Sequence, residues 1–117
     1  MTQFGDHIRE VRERLRQQDG RYSLRQVAKR IGVEPAYLSK IERGDVPPPG
    51  EATIARLASD LGEDPDVLLA RAGKVSSDLQ EIIRRRPELF ADLLREMEKT
   101  PDEAIARIVR EVRDGDW

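Results

Sequence analysis

The stretch from Ser23 to Gly44, SLRQVAKRIGVEPAYLSKIERG, holds the residues best placed to do chemistry. Its second half reads as a short helix opened by Pro35, with Leu38 and Ile41 turned inward. That leaves Glu34, Pro35, Ala36, Tyr37, Ser39, Lys40 and Arg43 on the exposed side. The hydroxyl, ammonium and guanidinium groups among them are hydrogen-bond donors, so the chemistry on offer is contact rather than bond-making. Catalysis fails on inventory. There is no cysteine, and the single histidine, His7, lies one residue before a core position and reads as an ordinary surface residue. The carboxylates sit beside Lys and Arg on exposed helix faces, where ion pairs are the usual explanation. No glycine-rich phosphate loop, nucleophile elbow or metal-ligand cluster is present. The expectation is a non-enzyme without cofactor or metal.

The elements that must position these residues follow from composition and periodicity. The chain has 117 residues, 38% of them hydrophobic and 38% charged, which suits one ordinary domain or a small domain with an appendage. With few aromatics, its core must be built from Leu, Ile, Val and Ala, and the fold is expected to be all-α. The 21 Lys and Arg nearly cancel the 23 Asp and Glu, so net charge says nothing about partners. Its distribution says more: residues 1–43 carry a balance of +4 and residues 44–73 one of −4. No stretch approaches the roughly 18 apolar residues of a membrane span, and MTQFGDHIRE lacks a signal-like apolar run. A soluble cytoplasmic protein is expected, with no membrane partner.

Seven or eight helices are predicted. The first has Phe4, Ile8, Val11 and Leu15 on one face and ends in the polar stretch 17–22. The second opens at Ser23, with Gln26 completing a capping box, shows Leu24, Val27, Ala28 and Ile31, and stops at Gly32. The third, from Pro35, ends at Gly44; a fourth spans about 50–61, and a fifth starts at Asp64-Pro65 and runs toward Gly73. Beyond Gly73 come a helix from Ser77, one from Pro87, and one opened by Thr100-Pro101-Asp102-Glu103 as cap, first-turn proline and acid. The expected division is a domain over 1–73 and a helical extension of two to three helices over 74–117.

A capped short helix, a glycine turn and a second short helix make a helix-turn-helix. Ala28 is small where the two helices cross, Gly32 lets the backbone turn, and Val33 fills the space between them. With FGDHIREVRERL, SLRQVAKRIGV, PAYLSKIERG and PPPGEATIARLASDLG in order, residues 4 to about 70 resemble the Cro/repressor-type, or xenobiotic-response-element, family of bacterial and phage regulators. The resemblance implies a five-helix, lambda-repressor-like DNA-binding domain whose third helix enters the major groove. By position it implies that Ser23, Arg25, Glu34, Ala36, Tyr37, Ser39, Lys40 and Arg43 face double-stranded DNA. Lys40 and Ser39 would read base edges, and Arg43, Arg25 and Tyr37 would grip phosphates. Arg12 and Glu42 match a pair that locks the reading helix in place. Two positions depart from the family: Leu24 stands where many members have a phosphate-holding glutamine, and Glu34 where several have serine. Glu34 is read as capping the third helix in preference to accepting from a cytosine amino group.

The extension is too apolar and too well capped for a disordered tail. Leu89, Phe90, Leu93, Leu94, Met97, Ile105, Ile108, Val109 and Val112 are expected to supply a core or an interface. The resulting expectation is a sequence-specific transcriptional regulator, a repressor binding an inverted-repeat operator as a homodimer. The alternative is an antitoxin-like or adaptor protein whose C-terminal helices bind another protein.

Overall fold

The computed structural model describes residues 3–115, and no strand occurs among them. Eight helices follow one another: α1 (Gln3–Arg16), α2 (Leu24–Ile31), α3 (Pro35–Arg43), α4 (Glu51–Leu61), α5 (Pro65–Arg71), α6 (Ser77–Arg85), α7 (Pro87–Met97) and α8 (Asp102–Asp114). A single 3-10 turn, Gly20–Tyr22, lies between α1 and α2. The all-α expectation therefore holds. The chain forms two compact units, divided between Ser76 and Ser77.

In the first unit, the apolar faces that the helical period puts together become one core. Phe4, Ile8 and Val11 of α1, Val27, Ala28 and Ile31 of α2, and Leu38 and Ile41 of α3 are buried with Ile54, Leu57, Ala58 and Leu61 of α4 and Leu68 and Leu69 of α5. Fully burying a side chain of this size contributes about 1.5–3 kcal/mol. Helix α3 packs against α1 and α2, while α4 packs against α2 and α5. Helix α3 is thus backed by two others rather than hung from a loop.

Local chemistry fixes the ends. Ser23 caps α2, its hydroxyl oxygen accepting from the Gln26 amide at 3.3 Å. Gly32 stops α2 at φ 78°, a conformation that disfavours any side chain, and lets the Val33 amide reach back to the Ala28 carbonyl at 3.0 Å. Asp64 caps α5 by accepting from the amides of Asp66 and Val67 at 2.8 and 3.2 Å. Ahead of the 3-10 turn, Asp19 accepts from the Arg21 guanidinium and amide, which holds its carboxyl at about 2, below the ordinary range. Between α3 and α4, Pro49 is buried and its carbonyl accepts from the Lys74 ammonium at 2.8 Å.

Three details differ from the sequence reading. His7 is half-buried, and its ring Nε2 is hydrogen-bonded to the Glu63 carboxylate beyond the end of α4, so it ties two elements together. Thr100 does not cap α8; its hydroxyl donates back to the Glu96 carbonyl at 2.5 Å, Pro101 takes the cap position, and the helix starts at Asp102. Glu34 occupies the cap position of α3, but its side chain caps nothing. A good capping residue has a short side chain whose oxygen reaches the second or third amide, and glutamate is one methylene too long.

The second unit comprises α6, α7 and α8. None of its described side chains is buried, and its large apolar residues lie on exposed or half-exposed faces.

Candidate nucleic-acid interface

The site begins with a helix that has two unlike faces. Leu38, Ile41 and Glu42 of α3 are buried, whereas Ala36, Tyr37, Lys40 and Arg43 are exposed, with Glu34 exposed just ahead of them. Ser39 and Pro35 are half-buried. The split follows from the helical period, since positions 38, 41 and 42 lie on one side of the turn and 36, 37, 40 and 43 on the other.

Behind this surface lies an ion pair that the inward face makes obligatory. Glu42 is 3% exposed and so is Arg12 of α1. The Arg12 guanidinium donates through Nε and Nη2 to the two Glu42 carboxylate oxygens at 2.7 and 2.9 Å, a fork that fixes both distance and angle. Its remaining donors reach the Tyr22 carbonyl at 3.2 Å and the Glu13 carboxylate at 3.1 Å. Hydrogen bonding to Glu42 raises the Arg12 pKa above its already high ordinary value. One side chain therefore joins α1, the 3-10 turn and α3.

A second support is a residue the sequence reading passed over. Gly5 of α1 is buried, and a Cβ placed on it would lie 2.3 Å from the Ile41 carbonyl oxygen and 2.8 Å from that of Glu42. The backbones of α1 and α3 touch there. The available signal was a glycine inside an otherwise regular helical pattern, where it costs about 1 kcal/mol relative to alanine unless something requires it.

The cations around α3 fall into two groups. Arg30 of α2 is occupied: it pairs with Asp60 of α4 at 2.6 Å, which raises its pKa, and it stacks over the Tyr22 ring with 5.2 Å to the centroid. Arg56 donates to the Ile31 carbonyl at the end of α2 at 3.0 Å. These hold α2 against α4. Lys40, Arg25 and Lys29 are exposed and take part in no ion pair among the described residues. Arg43 is intermediate: its guanidinium donates to Asp45 at 2.9 Å and to the Ser39 hydroxyl at 2.5 Å, and both members of the ion pair are about half exposed. Such a pair contributes little in water and yields readily to a better anion.

The structure brings Glu34, Ala36, Tyr37, Ser39, Lys40 and Arg43 onto one surface. Ser23 is half-buried at the start of α2 and is used as its cap, with Arg25 exposed in the first turn of that helix. In the second unit, Leu93, Met97, Ile105, Ile108, Val109 and Val112 line one groove. Phe90 is half-buried, while Leu89 and Leu94 are exposed and do not line that groove. No helix among the described residues is long and apolar enough to cross a membrane, and no group of His, Asp or Glu among them is arranged to hold a metal.

A surface of this form, on a short helix following a glycine turn, matches a known pattern. Residues 3–72 match the model of the helix-turn-helix domain. The chain is also 37% identical over 82 residues to RghRB of Bacillus subtilis (strain 168), described as an uncharacterized HTH-type transcriptional regulator. The alignment covers 70% of this chain and 55% of the relative, so the chain spans about half the length of the curated relative it matches. No solved structure matches the chain.

Proposed function

Because this chain belongs to the helix-turn-helix domain family, we propose that it is a sequence-specific, double-stranded-DNA-binding transcriptional regulator without enzymatic activity. The observation that carries the reading is the two-faced α3, whose inner face is locked by Leu38, Ile41 and the Arg12–Glu42 fork while its outer face offers Tyr37, Lys40 and Arg43. A rigid helix with donors on one side is what the major groove admits. In this reading Lys40 and Ser39 contact base edges, and Arg43, Arg25 and Tyr37 hold phosphates, with Ser23 beside them at the start of α2. The exposed Glu34 carboxylate repels phosphate and accepts from a cytosine amino group. The protein is a cytoplasmic repressor that occupies an inverted-repeat operator as a homodimer, since one reading helix spans only a few base pairs.

Selection of random duplex DNA by the purified protein tests this. Enrichment of an inverted repeat with half-site centres about one helical turn apart is the expected outcome; weak, salt-sensitive binding to all sequences would end the reading. Two substitutions then separate the roles. Lys40→Ala should relax base preference at one position of each half-site, at a cost of about 1–3 kcal/mol. Arg43→Ala should weaken binding to all sequences alike and reduce the salt slope by about 1. Affinity titrations across salt concentrations check both, and unchanged affinity in both variants would remove α3 as the reading element.

The exposed apolar residues of the second unit favour a second reading, in which α7 and α8 bind a different protein as an antitoxin-like or adaptor surface does. Leu94 and Met97 left uncovered in an isolated homodimer would support it.

A further inference from the structure

The second unit, Ser77–Trp117, has no buried side chain among its described residues, and a piece of chain this short rarely holds a fold without another chain to complete its core. Between α7 and α8 lies a groove of about 490 Å³, walled by Leu93, Met97, Ile105, Ile108, Val109 and Val112. A small apolar molecule filling it would still leave Leu89, one helical turn before Leu93 on α7 and 67% exposed, uncovered. The area to be covered asks for a helix.

The chain carries a helix of the right form. On α8, Ile105, Ile108, Val109 and Val112 recur at the spacing by which an amphipathic helix enters a groove. The same residues are wall and ridge, the condition for an interface that a two-fold axis can build from two identical surfaces.

Charge selects the orientation. Glu96 and Arg113 are the charged side chains lining the groove. Glu96 sits at its α7–α8 turn end, where Thr100 bonds back to it. Arg113 lies in the last turn of α8, roughly 12 Å along that helix from Ile105. Opposite charges thus mark opposite ends. We propose that the groove takes α8 of a second copy of this chain, with the two helix pairs running head to tail so that Glu96 meets Arg113 of the partner subunit. The parallel alternative would set like charges together at both ends.

The inference rests on the homodimer reading above and specifies its geometry. Sedimentation equilibrium of the full-length protein tests it, with Glu96→Arg, Arg113→Glu and their equimolar mixture. Wild type should be dimeric at tens of micromolar, and each variant should dissociate roughly tenfold more readily, because two symmetric attractions become repulsions. The mixture should regain wild-type association, since a mixed dimer sets the two cations of one variant against the two carboxylates of the other. Circular dichroism of the variants at high concentration checks that helicity is retained. A wild-type dimer indifferent to both single reversals would overturn the orientation, and a monomeric wild type would assign the groove to another protein. The two readings fail separately: a monomer that enriches single half-sites refutes this geometry and keeps α3 as the DNA-contacting element, whereas a dimer that enriches no sequence keeps the geometry and ends the DNA reading.

Discussion

Glu42→Ala should destabilise the first unit by about 3–5 kcal/mol, a large part of what a domain of this size possesses. Arg12 is 3% exposed in the intact protein, and the substitution removes its bidentate partner, leaving only the Tyr22 carbonyl and Glu13 carboxylate for its guanidinium to face. A buried cation left with only the half-exposed Glu13 carboxylate as counter-charge is the costly outcome, more so than the loss of the pair itself. Replacing both members, Arg12→Met with Glu42→Leu, should therefore cost much less than Glu42→Ala alone, although it removes the same ion pair. Amide exchange of the core residues Ile8, Leu38 and Leu57 reads the stability of this unit directly. Equal loss in the single and double variants would show that the fork contributes attraction rather than merely cancelling a burial cost. DNA affinity should fall in the double variant too, because the fork sets the angle at which α3 leaves the core.

Gly5→Ala should destabilise the same unit by about 3 kcal/mol, at the upper end of overpacking effects. In an open helix the change would stabilise by up to about 1 kcal/mol, so the expected sign is the reverse of the propensity rule. The new methyl would sit 2.3 Å from a carbonyl oxygen of Ile41, and the obstacle is helix backbone that cannot rotate away. The two helices must separate along their contact. Gly20→Ala serves as the control, since nothing lies within 4 Å of a Cβ there. It should be neutral or slightly stabilising. If exchange rates in the core were the same for both variants, the close approach of α1 and α3 would not be a constraint on the fold.

These two sites mark where the sequence was and was not legible. Periodicity showed the helices and the inward faces of α1 to α5, because burial of an apolar stripe depends on spacing within one element. Ser23, Gly32 and Asp64 were legible for the same reason: a cap or a left-handed turn is settled within a few residues. Gly5 was not, since its requirement comes from a carbonyl on a helix more than thirty residues away. The His7–Glu63 contact spans 56 residues and was hidden likewise. Glu34 misled at close range: the position is a cap, but the side chain is the wrong length to fill it. On the interface, spacing separated outward from inward residues of α3, while the engagement of Arg43 by Asp45 and Ser39, and of Arg30 by Asp60, depended on how side chains meet in space.

The lack of any buried side chain from Ser77 to Gly115 also bears on how long a copy of the protein lasts. Proteases act on the fraction of time a segment spends open, and helices without a core open at little cost. Limited proteolysis of the protein should therefore cut first between Ser77 and Gly115 wherever those apolar faces are left uncovered. The first unit, with its continuous core of Ile, Leu and Val, should resist the same digestion. The expected product is a fragment that keeps α3 and its supports but lacks the C-terminal helices, so exposure of that apolar surface would set how long the two units stay joined.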